Sequence, residues 1–282
     1  MSKYKNRIIN IVLFAAFLVG LSVMFYPVIS NWWNEKHTTV AIADYVGCVN
    51  NMSEDEKARL MEQARDYNRK LAELSDPFTQ YNEIEGYEDI LDVSGTGIMG
   101  YINIPMIGGD FPIYHGTSPE VLNVAAGHLQ GSSLPIGGSA THAVISAHRG
   151  LPTAKLFTDL DKLEKGDMFS ITILDETFTY LVDDIQVVEP EDMNKLAVIE
   201  NEDHVTLMTC TPYGINTHRL LVRGKRIETV NTDVKEYNIT GEAVQIDEDL
   251  IAVVIFVIIT LVLVLKWSLA DNVKNKLGGR KR

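Results

Sequence analysis

The sequence predicts a mainly β domain, a barrel or a sandwich, slung between two membrane-spanning helices. Three observations carry that reading. Residues 8–26 contain no charge, and residues 250–265 are apolar apart from Thr260; a helix needs roughly 20 apolar residues, about 17 at the lower edge, to cross a bilayer. From residue 98 onward, short β-rich runs at 98–104, 143–147, 167–173, 177–188, 205–209 and 219–227 are separated by Gly, Pro and Asn turns. Helical signals in that half are few and short, at 118–124 and 154–163.

The first apolar stretch follows a basic start (Lys3, Lys5, Arg7), as a cleaved signal peptide would. It is long for that role, no Ala-x-Ala site follows it, and Trp32-Trp33 resembles an interfacial aromatic belt, so it reads as a retained anchor. The second stretch is slightly short but closes on Lys266 and Trp267, side chains suited to an interface. Lys266, Lys274, Lys276, Arg280, Lys281 and Arg282 make that end basic too. The positive-inside rule then puts both termini in the cytoplasm and residues 27–249 outside.

Between the anchors, 44–73 reads as helix. Ser53 and Glu56 have capping-box spacing, and Leu60, Ala64, Tyr67, Leu71 and Leu74 recur every three or four residues. Pro77 ends it near Ser75, and 76–96, with Asp-Pro, Gly86 and Ser-Gly-Thr-Gly, reads as a long irregular connection of the kind that carries function.

Of 25 basic and 38 acidic residues, nine basic and one acidic lie at the two ends, which leaves 16 and 37 in the middle, a net charge of −21. Nucleic-acid binding needs the opposite sign and is excluded. Two cysteines, Cys48 and Cys210, stand 162 positions apart, unlike the denser pattern of a disulfide-stapled domain. The His142/His148 and His115/His128 pairs lack a neighbouring carboxylate cluster, so neither a metal nor another cofactor is expected.

Chemistry concentrates at Cys210. Pro212 cannot donate to a strand ladder, so the strand ending at Cys210 stops there, leaving the thiol at a rim beside a turn. A thiol needs a neighbouring base or cation to act as a nucleophile at neutral pH. Of seven histidines, His148 ends the alternating run 141–148 at a rim; His128 and His218 are rivals. Acyl transfer also needs a donor for the oxyanion. Alternation puts Thr217, Arg219, Leu221 and Arg223 on one face, with Arg219 nearest the rim and Arg223 deeper.

The segment Thr206-Leu-Met-Thr-Cys-Thr-Pro-Tyr-Gly-Ile-Asn-Thr-His-Arg-Leu-Leu-Val-Arg-Gly224 resembles the active-site segment of sortases, specifically the class C, pilin-polymerising kind. Ile145-Ser-Ala-His-Arg-Gly-Leu-Pro152, Lys155-Leu-Phe-Thr-Asp-Leu-Asp161 and Ala126-Gly-His-Leu-Gln-Gly-Ser-Ser-Leu-Pro135 agree, so the likeness covers roughly 70–230. It implies a closed eight-stranded β-barrel with Cys210 as nucleophile, His148 as acid and base, and Arg219 as oxyanion and substrate-orienting group. His128 matches a motif of the class but not its catalytic histidine. Ser75-Asp-Pro-Phe78 resembles the class C lid, which implies a lid of Asp76, Pro77 and Phe78, with Asp76 pairing with Arg219 and Phe78 packing over Cys210.

The implied layout is a cytoplasmic tip and anchor (1–26), an outer helical segment with its lid (27–96), a catalytic barrel (97–230), an acidic tether (231–249) and a second anchor with a basic tail (250–282). The implied partners are pilin subunits that bear a Leu-Pro-x-Thr-Gly-like sorting signal and an acceptor lysine. Two other readings are anchoring of surface proteins to peptidoglycan and a non-catalytic surface scaffold; the lid motif and second anchor argue against the first, the Cys210, His148 and Arg219 set against the second. No Leu-Pro-x-Thr-Gly precedes Leu250, which separates the chain from a sortase's cargo.

Overall fold

The computed structural model describes residues 2–228 and residue 260. The expected tether and C-terminal anchor therefore lie outside the described residues, Thr260 apart.

Helix α1 (Ser2–Asn50) does not stop where the uncharged stretch ends. It runs on through Pro27, which costs one backbone hydrogen bond without ending the helix. Its first half is long and apolar enough to cross a membrane, with Val19 and Val23 exposed. Its last turns are buried at Ile42, Tyr45 and Val49. There the Tyr45 hydroxyl donates to Met99 O (3.0 Å) and accepts from Leu174 N–H (2.8 Å), tying the helix to the β domain.

The continuous helix expected over 44–73 is two helices. The chain breaks at 51–53 and restarts as α2 (Glu54–Ala72). The capping box explains the break: Ser53 Oγ accepts from Glu56 N–H (3.3 Å), and Glu56 Oε2 accepts from Ser53 N–H (3.0 Å). That donor is thereby lost to any helix arriving from upstream. Met61, Ala64, Tyr67 and Leu71 form the buried stripe of α2. A single turn, α3 (Pro77–Gln80), and two 3₁₀ turns (Tyr81–Glu83, Tyr87–Asp89) carry the chain to the first strand.

Eight strands follow: β1 (Ile98–Ile104), β2 (Gly109–His115), β3 (Ala126–His128), β4 (Thr141–Ser146), β5 (Met168–Ile173), β6 (Glu176–Val188), β7 (Asp203–Thr211) and β8 (His218–Ile227). They close into one barrel in the order β1-β2-β3-β4-β7-β8-β6-β5, which leaves no unpaired sheet edge. The β2/β3 and β4/β7 pairs are parallel and the rest antiparallel. Ala143, Ile145 and Ala147, Val205 and Leu207, and Leu220 and Val222 fill the interior.

Strands β2 and β3 escape the sequence reading for physical reasons. Pro112 argues against a strand, yet it precedes Ile113, the first residue to pair with β3, so only β1 flanks it there. Strand β3 has three residues, too few for an alternation signal. Of the two helical segments expected, the first is α4 (Pro119–Leu122), capped by Ser118. The second, 154–163, is only a 3₁₀ turn at Leu160–Lys162.

Candidate active site

Cys210 lies one residue from the end of β7, half-buried, with Arg219 of β8 as its Cα partner. Arg219 in turn stands opposite Val188 of β6. Because the interior takes the alternate residues, the outer face carries Thr206, Met208 and Cys210 of β7, Arg219, Leu221 and Arg223 of β8, and Asp184, Gln186 and Val188 of β6. The face expected for Thr217, Arg219, Leu221 and Arg223 is thus an outer wall of the barrel.

His148 comes two residues after β4. The parallel register that pairs Ser146 with Met208 continues past the strand: Ala147 N–H donates to Met208 O (3.2 Å), and Thr209 Oγ1 donates to Ala147 O (2.8 Å). This brings His148 to the level of Cys210. Its carbonyl is held by Phe157 N–H (3.1 Å). The next residue, Arg149, is clamped by Asp161 (2.5 Å) and lies over the Tyr213 ring (5.8 Å). Gly150, at φ +77°, lets that ring approach, since a Cβ there would sit 2.8 Å from it. Arg149 and Asp161 escaped the sequence reading, although both lie in stretches that carried the family likeness.

The two arginines of the face differ. Arg223 makes a bidentate pair with Asp183, Nε to Oδ1 at 3.0 Å and Nη2 to Oδ2 at 2.7 Å. Arg219 makes no ion pair among the described residues; its Nη1 donates to His218 O (3.3 Å). The rim arginine keeps donors for a ligand, and the deeper one is occupied.

The rival histidines are otherwise engaged. His128 is fully buried, with Nε2 against Ser133 O (2.8 Å) and Nδ1 against the Tyr87 hydroxyl (2.8 Å). A carbonyl only accepts, so Nε2 carries the proton and Nδ1 accepts from Tyr87. Burial pushes this ring down to about 4. His218 alternates with Arg219 and so points away from the outer face; its Nδ1 meets Thr217 Oγ1 at 2.9 Å. Cys48 and Cys210 are both free. No group of three His, Cys, Asp or Glu side chains among the described residues is arranged to hold a metal.

Known proteins share the closed barrel that brings Cys210, His148 and Arg219 to one rim here. The sortase domain family matches residues 102–227. Sortase C1 from Streptococcus agalactiae is 46% identical, covering 67% of this chain and 99% of that one, with a TM-score of 0.62. This chain belongs to the sortase family. The sortase C of Streptococcus pneumoniae is also 46% identical, over 67% of this chain and 97% of that one, with a TM-score of 0.60. Among curated relatives, sortase D of Bacillus subtilis is 28% identical over 131 residues, 45% of this chain and 63% of its own length.

The expected lid, residues 76–78, is held by contacts other than the expected ion pair. Asp76 does not pair with Arg219. Its carboxylate accepts from the Thr79 hydroxyl (2.8 Å), and its N–H donates to Gln80 Oε1 (2.9 Å). The Asp-Pro turn satisfies itself locally, as a short polar side chain beside a turn tends to do. Phe78 packs on the outer face, in an apolar cluster of Val144, Leu196 and Leu221 joined by Leu129, Val188, Met193 and Met208. Val188 is the register partner of Arg219, and Met208 and Leu221 are each two residues from Cys210 and Arg219. The backbone of Pro77 and Phe78 lies on Gly131, where a Cβ would come within 2.7 Å of Phe78 Cα.

Proposed function

We propose that this sortase is a membrane-anchored cysteine transpeptidase that joins pilin subunits through lysine isopeptide bonds. The observation that carries the reading is the register of Cys210 against Arg219, with His148 brought level by the parallel β4/β7 pair.

The reaction runs as two acyl transfers. The Cys210 sulfur, its proton passed to His148, attacks the Thr carbonyl of a Leu-Pro-x-Thr-Gly-like sorting signal, and the Arg219 guanidinium donates to the oxyanion that forms. The Thr–Gly C–N bond breaks, the glycine amine leaves with a proton from His148, and a thioester remains. The ε-amine of an acceptor lysine then attacks the thioester and gives its proton to His148. The isopeptide bond forms and the thiol is released. Splitting one hard displacement into two easier ones is the gain from the covalent intermediate.

Support for the pilin reading comes from the solved neighbours. The Streptococcus pneumoniae sortase C structure is described in terms of pilin substrate specificity, and a lid mutant of the Streptococcus agalactiae sortase C1 has been solved. The basic ends of the chain support a cytoplasmic placement of both termini and an external barrel. The test is to incubate the full-length protein in detergent with candidate pilins and search by mass spectrometry for lysine–threonine isopeptide cross-links. Cross-links to a cell-wall amine in their place would move the function to peptidoglycan anchoring. Absence of any acyl-enzyme at Cys210 would remove the catalytic reading.

A further inference from the structure

On the same outer face, further from the rim than Cys210 and Arg219, lies a groove of about 180 Å³. Thr206, Leu221 and Arg223 form its floor and Asp184 and Gln186 one side. The other wall is the β6–β7 connection, through Ala197, Val198 and Ile199. That wall has no strand of its own, so something must hold it to the barrel. Leu196 does so by packing on Val144 and Leu221. His142, which the reaction above does not use, provides a second anchor.

His142 is 1% exposed on β4. Its Nδ1 lies 2.9 Å from Ala197 O and its Nε2 2.7 Å from Thr206 Oγ1. The carbonyl can only accept, so Nδ1 carries the proton; in the singly protonated ring Nε2 then accepts from the Thr206 hydroxyl. One imidazole thus bonds the wall and the floor of the groove at once, with each bond fixing the direction of the other. Behind it stands the His204 ring at 5.7 Å, itself 3.3 Å from Glu202 and 3.8 Å from Asp183. Burial is the first cause, and the nearby His204 and Arg223 further ones, that push His142 down to about 4.

We infer that His142 is a positioning residue for substrate binding: it clamps the 194–199 wall against Thr206 and so shapes the groove that receives the peptide running away from Cys210. The inference rests on the transpeptidase reading for the identity of the peptide, but not for the clamp itself. His142 touches neither the thiol nor the scissile bond, so its loss weakens binding of ground state and transition state alike. That raises KM and spares kcat.

The experiment compares wild type, His142→Ala and His142→Gln in the full-length protein. Gln retains one donor and one acceptor on a planar group of similar spacing. With a fluorogenic Leu-Pro-x-Thr-Gly peptide, His142→Ala should raise KM about tenfold, the effect of one or two net hydrogen bonds. Its kcat should hold within about twofold, and His142→Gln should recover most of the loss. Independently of turnover, amide exchange over 194–202 should quicken in His142→Ala and be restored in His142→Gln. A wild type without turnover would overturn the transpeptidase reading and leave the exchange result to decide the clamp. Unchanged exchange over 194–202, or a fall in kcat at constant KM, would overturn the positioning role. If His142→Ala does not fold, Thr206→Val removes only the second bond and should raise KM by a smaller factor, about threefold; an unchanged KM would overturn the proposal.

Discussion

Cys210 and Arg219 are register partners on the antiparallel β7/β8 pair, and eight residues of connection separate them in sequence. Neighbouring strands lie roughly 5 Å apart, so partners on one face put their side chains side by side without help from a loop. The thiol and the guanidinium are therefore set side by side by strand pairing, and only His148 depends on a segment beyond a strand end.

The Cys210 thiol can be removed without unfolding the barrel. Cys210 is half-buried at the rim and absent from the apolar interior. Cys210→Ala should abolish acyl transfer while the unfolding free energy, read from denaturant curves, changes by no more than about 1 kcal/mol. Cross-linked products in that variant would sink the assignment. Cys48→Ala should be silent for activity, because Cys48 is free and lies on α1.

Arg219→Lys should fail although the charge is kept. An ammonium is a point charge on a flexible stem, whereas the guanidinium is a planar fork of donors. The expected loss is on the order of 10²–10³ in kcat for a group that donates to an oxyanion. Arg223→Lys breaks the bidentate bond to Asp183 and should lower stability with little effect on the chemical step. Near-normal turnover in Arg219→Lys together with a collapse in Arg223→Lys would transfer the role to Arg223.

Acid should destabilise the fold before the carboxylates titrate. His128 and His142 are buried, and burial pushes each down to about 4, whereas an unfolded histidine titrates near 6.5. Between those values the unfolded chain binds more protons than the folded one. The stability that these two rings contribute is therefore full above about 6.5, falls as pH drops toward 4, and levels off below. Each histidine contributes a slope of up to about 1.4 kcal/mol per pH unit. Denaturant midpoints at pH 7 and 5 should show the fall, and His128→Gln should reduce it. A flat profile would mean that these rings take up protons while folded.

Much of this was legible in the chain. Six of the eight strands announce themselves by alternation and turn residues, and Pro212 marks the rim at Cys210. The rest depends on pairing between distant segments, which leaves no local trace. The parallel partnership of β4 with β7 brings His148 level with Cys210, and nothing within 141–148 encodes that partner. His142 is similar: its bonds run 55 and 64 residues away, to Ala197 and Thr206. Asp76 failed in the opposite sense, because a carboxylate beside Thr79 finds a local donor before a distant arginine.

That local bond changes what the lid should do when it is cut. If the segment were tied to the rim by an ion pair, Asp76 would be its key. The contacts instead hold the segment through Phe78, which packs on the apolar cluster of Val144, Leu196 and Leu221. Removing a partly buried aromatic from such a cluster costs about 1–3 kcal/mol of closure, less than a fully buried Phe. A closed majority state slows any reagent by the fraction that is open. Phe78→Ala should therefore speed alkylation of Cys210 by about tenfold or more, while Asp76→Ala changes it by less than about twofold. Gly131→Ala should act like Phe78→Ala by different physics. Its Cβ would meet Phe78 Cα at 2.7 Å and Pro77 O at 2.8 Å, and its φ of +88° disfavours any side chain. Second-order alkylation rates for the three variants, at one pH, decide the matter. A rise in Asp76→Ala with none in Phe78→Ala would restore the ion-pair latch. Equal rates in all three and in wild type would show that residues 76–78 are an ordinary turn.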